Sequence, residues 1–188
     1  DHDYHPDLSE LTKDTLVGFI FPTHGFNASP AMIKFLVKFP SVHGVSAFAM
    51  NTRAGLKLSK CFLPGASGLA LWIVGLLLII KGFAVKGLRP MDMPSNWISL
   101  HPGLTESCAN QISSHCEAKT KGFIERVLSG KKSFKRAIID IPIDVFLSPI
   151  GVVYYLIGRF FLAKTFVYSY ECDTCEICIK NCPVGAIE

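Results

Sequence analysis

Cys172, Cys175, Cys178 and Cys182 are spaced C-x2-C-x2-C-x3-C, and Pro183 follows directly. Thiolates at those offsets are the donor set of an iron–sulfur cluster. The short gaps let the chain wrap one face of a cubane while backbone N–H groups between the cysteines donate to its sulfides, and the proline then turns the chain away. Two other chemistries compete. A structural zinc site usually pairs two separated C-x2-C hooks rather than one compact run. Reactive or disulfide-forming thiols need no such regularity.

The run also carries an expectation about neighbouring sequence. In two-cluster ferredoxins the last cysteine of such a run ligates the other cluster. Cys172, Cys175 and Cys178 would then hold one 4Fe–4S cluster and Cys182 would serve a second, completed by a further run beyond Glu188. The first residue is Asp1, not a methionine. The 188 residues are therefore read as an internal piece of a longer protein. Clustered cysteines point to a reducing compartment, the cytoplasm. Cys61, Cys108 and Cys116 lie outside the run, and the last two are expected to pack as small hydrophobes on a helix.

The net charge of +4 suits an anionic cofactor, an anionic membrane surface or an acidic redox partner without selecting one. Nucleic-acid binding is not expected, because the basic residues are scattered. Only Lys131, Lys132, Lys135 and Arg136 cluster, and they read as a solvated helix face.

The elements that must position this chemistry follow an alternating order. Leu16 to Phe21 is a continuous apolar run, read as a strand buried on both faces and ended by Pro22. Ser29 caps a helix with Pro30 in its first turn, and Met32, Ile33, Phe35, Leu36 and Phe39 form its buried stripe. A second strand covers Val45 to Met50 and a loop Asn51 to Gly55. A helix-sized run begins near Ala66, a third strand covers Phe83 to Leu88, and a long helix spans 104–128 with Leu104, Cys108, Ile112, Cys116, Phe123 and Val127 on one face. This is the grammar of an open α/β sheet. Ligands of such sheets bind beyond the carboxyl ends of the strands, where residues 23–27 and 51–55 fall.

Four stretches carry a resemblance: Val17 to Phe26 (VGFIFPTHGF), Phe48 to Gly55 (FAMNTRAG), Val85 to Trp97 (VKGLRPMDMPSNW), and Ala163 to Ile187, which ends in the cysteine run. On these the chain resembles the flavodoxin–ferredoxin fusion family. The resemblance implies an α/β fold in three parts. Residues 1–130 would be a partial flavodoxin-like open parallel sheet lacking its first βαβ unit. Residues 131–165 would be an apolar linker, and residues 166–188 a partial ferredoxin-like segment. It also implies FMN, with a first flavin loop on Pro22, Thr23, His24, Gly25 and Phe26 and a second on Asn51, Thr52, Arg53, Ala54 and Gly55. Glycines there permit close backbone approach. Residues 1–15 hold no hydroxyl- and glycine-rich phosphate loop of the kind that grips a flavin phosphate. Either that loop lies upstream of Asp1, as expected, or the protein binds no FMN.

Two segments are unusually apolar. Gly68 to Ile80 has neither charge nor polar side chain, yet is short of the ~20 residues that span a bilayer. Ile143 to Ala163 is long enough, but Asp144, Pro149 and Arg159 argue against simple insertion. Tyr154, Tyr155 and Arg159 suit a helix lying at an interface. The segments could cover each other, meet a partner chain, or make peripheral contact with a membrane.

These readings converge on electron transfer between FMN and 4Fe–4S clusters. The classes in play are an oxidoreductase working at the flavin, a ferredoxin-type carrier that docks redox partner proteins, and a membrane-associated subunit of a redox complex.

Overall fold

The computed structural model describes residues 11–95, 103–165, 170–182 and 185. Its centre is a mixed sheet with helices on both faces. Strand β1 (Leu16–His24), β3 (Ser46–Leu58) and β5 (Ala84–Pro94) run parallel in the order β1-β3-β5. Each step is crossed by one helix, α1 (Pro30–Lys38) and then α2 (Ala70–Ile80). Two short strands extend it antiparallel: β2 (Asn27–Ala28) hairpins back on β1, and β4 (Cys61–Leu63) on the end of β3.

Local chemistry explains the starts. The Ser29 hydroxyl accepts from the Met32 amide at 3.2 Å, and Pro30 opens α1, as expected. Thr105 caps helix α3 (Glu106–Leu128) by accepting from the Cys108 amide at 3.3 Å. Successive residues of β3 face opposite sides. Ala47 and Ala49 join Phe19, Phe21, Leu36, Leu71, Val74, Leu78 and Leu88 in the larger core, under α1 and α2. Phe48 and Met50 meet Phe123 and Val127 of α3 on the other side. Phe19 meets both Phe39 and Phe83 edge-on at 5.8 and 5.4 Å. Such pairs add about 0.5–1.5 kcal/mol each beyond area burial.

Several expectations need correction. Strand β1 does not stop at Pro22: it continues to His24, and Pro22 sits opposite Thr52. A proline is tolerated because β1 lies near the sheet edge. Nor is β1 buried on both faces. Phe19 and Phe21 point inward, while Ile20 is 62% exposed. Strand β3 runs on through Asn51, Thr52, Arg53, Ala54 and Gly55, paired in register with Pro90, Met91, Asp92, Met93 and Pro94. The expected second flavin loop is thus strand. Helix α3 buries Ile112, Cys116, Phe123 and Val127, the expected stripe, with Cys108 half-buried.

The segment 131–165, expected as an apolar linker, is largely helical. It is helix α4 (Lys135–Val153), continued by a π-helical turn (Tyr154–Gly158) and helix α5 (Arg159–Leu162). Its entry is tied to β5, since the Ser133 amide donates to the Lys86 carbonyl at 2.9 Å and the Leu88 amide to the Ser133 carbonyl at 3.2 Å. Pro142 and Pro149 lie inside α4. The helix crosses the carboxyl edge of the sheet. A short helix, α6 (Ile177–Asn181), lies within the cysteine run.

Candidate functional site

The residues singled out from sequence fall in two places: the carboxyl edge of the sheet and the cysteine run.

At the edge, Gly25 and Phe26 form the two-residue turn between β1 and β2, both with positive φ (56° and 59°). This is the backbone a tight hairpin of that length requires, and it is strained for a phenylalanine. Next to the turn lies a buried hydroxyl–amide cluster. Asn51 Nδ2 donates to Thr23 Oγ1 at 2.6 Å and to Ser67 Oγ at 3.1 Å, while Asn51 Oδ1 is buried with no hydrogen-bond partner. Two residues along β3 the side chain of Arg53 is fully buried. Its Nε meets Asp92 Oδ1 and its Nη1 meets Asp140 Oδ2, both at 2.7 Å. Burial works against the guanidinium charge, but the two carboxylates outweigh it and hold Arg53 above its ordinary value. Arg136 also pairs with Asp140, at 3.0 Å. The second Arg53 partner, Asp92, accepts the Gly65 amide at 2.9 Å as well.

Helix α4 closes this edge from above. Asp144 Oδ1 accepts the Ser67 amide at 3.3 Å. Burial raises the Asp144 carboxyl, the amides of Ser67 and Gly68 lower it, and the neighbouring Asp140 raises it; the balance lies above the usual carboxylate value. The Tyr154 hydroxyl and His24 Nε2 are 2.9 Å apart, with the rings edge to face. The Tyr154 ring covers Gly25 so closely that a methyl group there would overlap it. Gly68 and Gly151 both pack on the carbonyl of Phe26.

The structure places Thr23, His24, Gly25, Phe26, Asn51 and Arg53 at one edge. Gly55 lies further along β3, where an added Cβ would press on Asp92. Thr52 lies between Asn51 and Arg53, opposite Met91. The polar groups of Thr23, His24, Asn51 Nδ2 and Arg53 are engaged within the chain. A cavity of about 60 Å³ beside Gly55, lined also by Asp92, His115 and Arg136, is far too small for a flavin ring, which needs several hundred Å³. FMN at this edge would require α4 to swing away from Gly25 and Phe26. Sequence reasoning missed Ser67, Asp92, Asp140, Asp144 and Tyr154 as members of this cluster. The one available signal was the i, i+4 spacing of Asp140 and Asp144 in an otherwise apolar run.

The cysteine run lies elsewhere on the chain. Cys172, Cys175 and Cys178 are exposed thiols and Cys182 is half-buried. Among the described residues no three metal-ligating side chains converge. Thr174 and Glu176, which flank Cys175, both adopt positive φ (55° and 60°). The Cys175 amide donates to Asp173 Oδ1 at 3.1 Å, closing an Asx turn. Pro183 lies outside the described residues. Cys116 is buried in α3, its sulfur 3.9 Å from Thr120 Oγ1, and Cys61 is exposed on β4.

Comparison with family models, curated proteins and solved structures finds no match.

By length and composition, Lys135–Leu162, 28 residues, is long and apolar enough to cross a membrane. The shorter apolar segment, α2, is accounted for differently. Ala70, Leu71, Val74, Gly75 and Leu78 are buried on the sheet, leaving Leu76, Ile79 and Ile80 outward.

Proposed function

We propose that the chain is an electron-transfer iron–sulfur protein in which Cys172, Cys175, Cys178 and Cys182 ligate 4Fe–4S clusters, exchanging electrons with FMN at the carboxyl edge of a flavodoxin-like sheet. The observation that carries the reading is the thiol run: four sulfurs at cluster-binding offsets, three of them exposed. Its backbone supports the same reading. Thr174 and Glu176, on either side of Cys175, are left-handed, a backbone that recurs in loops that receive anionic clusters. Bound there, a 4Fe–4S cluster supplies one-electron transfer. The chain's own part is to present thiolates, donate backbone N–H groups and keep the site at the surface, where a redox partner protein can approach. A reducing compartment, the cytoplasm, suits such thiols.

The flavin half rests on the gathering of Thr23, His24, Gly25, Phe26, Asn51 and Arg53 at the carboxyl edge of the sheet, with Thr52 and Gly55 on the same length of β3. The α4 helix lying over Gly25 and Arg53 favours a second reading: a ferredoxin-type carrier, or a membrane-associated subunit of a redox complex, that binds no flavin. Anaerobic reconstitution with iron and sulfide tests the first half. A brown protein with stoichiometric inorganic sulfide is expected, and a colourless product ends the electron-transfer reading. Titration with FMN tests the second half. Quenching of flavin fluorescence supports the coupled protein, and unchanged fluorescence supports the carrier.

A further inference from the structure

Helix α4 is built inside out. A helix packed on a sheet normally turns its apolar stripe inward and its polar face to water. Here the buried positions are Ala137, Asp140, Asp144 and Gly151, one narrow stripe carrying both carboxylates. The outward positions are apolar: Ile138 and Ile139 are 54% and 55% exposed, Phe146 78%, Ile150 53% and Phe161 67%. A continuous exposed apolar face of this length marks a binding surface.

We propose that this outer face of α4 and α5 lies on an anionic lipid surface, parallel to it and not through it. The orientation follows from the buried stripe. Asp140 is paired with Arg53 and Asp144 with the Ser67 amide, so threading the helix through a bilayer would strip two carboxylates from partners fixed on the sheet. The choice of lipid follows from charge. From Lys135 to Thr165 the only acidic residues are Asp140 and Asp144, and both are turned inward. Lys131, Lys132, Lys135 and Arg136 stand at one end of the helix, Arg159 and Lys164 at the other. A second copy stacked on this face would set cations against cations at both ends, whether parallel or antiparallel. An anionic headgroup layer neutralises them. Arg159 sits 4.5 Å from the ring centres of both Tyr155 and Phe160, an aromatic–cation grouping suited to the boundary between headgroups and acyl chains.

The surface is independent of the cysteine run, so its test does not read cluster loading. The full chain is floated with phosphatidylcholine vesicles, with and without phosphatidylglycerol. Partition onto the anionic vesicles is expected. It should weaken with salt, and fall about tenfold or more in Phe146→Glu, given the apolar area of one phenylalanine. Phe146 is largely exposed, so its replacement leaves the core intact. Phe146→Trp gives a second readout, because brominated acyl chains should quench its emission. Absence of binding to either vesicle overturns the proposal. So does a dimer in light scattering that Phe146→Glu dissociates, which assigns the face to a second copy.

Discussion

Arg53 Nη1 donates to Asp140 Oδ2 at 2.7 Å, joining β3 to α4 across 87 residues of chain. Because Asp92 binds the same guanidinium, a single side chain connects the central strand, its neighbour and the covering helix. Removing one member of such a buried network leaves the others charged and unpaired.

Arg53→Met should therefore destabilise the fold by about 3–5 kcal/mol, the usual range for a broken buried pair. Asp140→Asn should cost less, about 1–3 kcal/mol, since Asp92 still neutralises Arg53. Urea denaturation of the two variants beside the parent checks the order, and equal losses would show that Asp92 contributes nothing.

Gly25→Ala should loosen α4. The left-handed backbone alone disfavours alanine by roughly 1–2 kcal/mol, and the new methyl must also displace Tyr154 from His24. Faster protease cleavage within 150–162, with the sheet still resistant, is the expected result. Uniform resistance would show that Tyr154 is not a clamp.

Asp144 gives a pH dependence of unusual sign. Its folded value is raised. The stability it contributes is therefore complete below the ordinary carboxylate value and lost as pH rises through the folded one. Asp144→Asn, which keeps an acceptor for the Ser67 amide, should match the parent below the ordinary carboxylate value and exceed it once pH has passed the raised folded one. Melting the pair across that range reads Asp144 together with its coupling to Asp140, because titrations that do not touch Asp144 cancel in the difference.

Cys175→Ser should lower bound iron and sulfide after reconstitution, whereas Cys61→Ser should leave both unchanged. Cys182→Ala separates two ligand plans. Loss of one cluster with the other spared indicates a shared run, and loss of all iron indicates a single-cluster site.

How far the sequence reveals this molecule depends on the range of the forces involved. The cap at Ser29 and the stripe Ile112, Cys116, Phe123 and Val127 are local patterns, and they are legible. The extension of β3 through Asn51 to Gly55 is not. Asparagine, arginine and glycine signal a turn, and only partners far along the chain, at Ser67, Asp92 and Asp140, make a strand of them. The cysteines are readable because spacing alone encodes their chemistry. The reversal of α4 is not, because periodicity identifies two faces of a helix without saying which one meets the protein. Asp144 reads naturally as an obstacle to membrane insertion, and it serves as a fastening to the Ser67 loop.

The order of the parallel strands has a dynamic consequence. Each strand is wired to its neighbour through one intervening helix, so the sheet can assemble from contacts close in sequence. The Arg53–Asp140 contact closes a much longer loop. Opening should then occur in two stages, with α4 lifting as one cooperative unit before the sheet yields. Amide exchange would register this as a single fast-exchanging block over 135–153 above a slow-exchanging core: a latch that can be undone without dismantling the door.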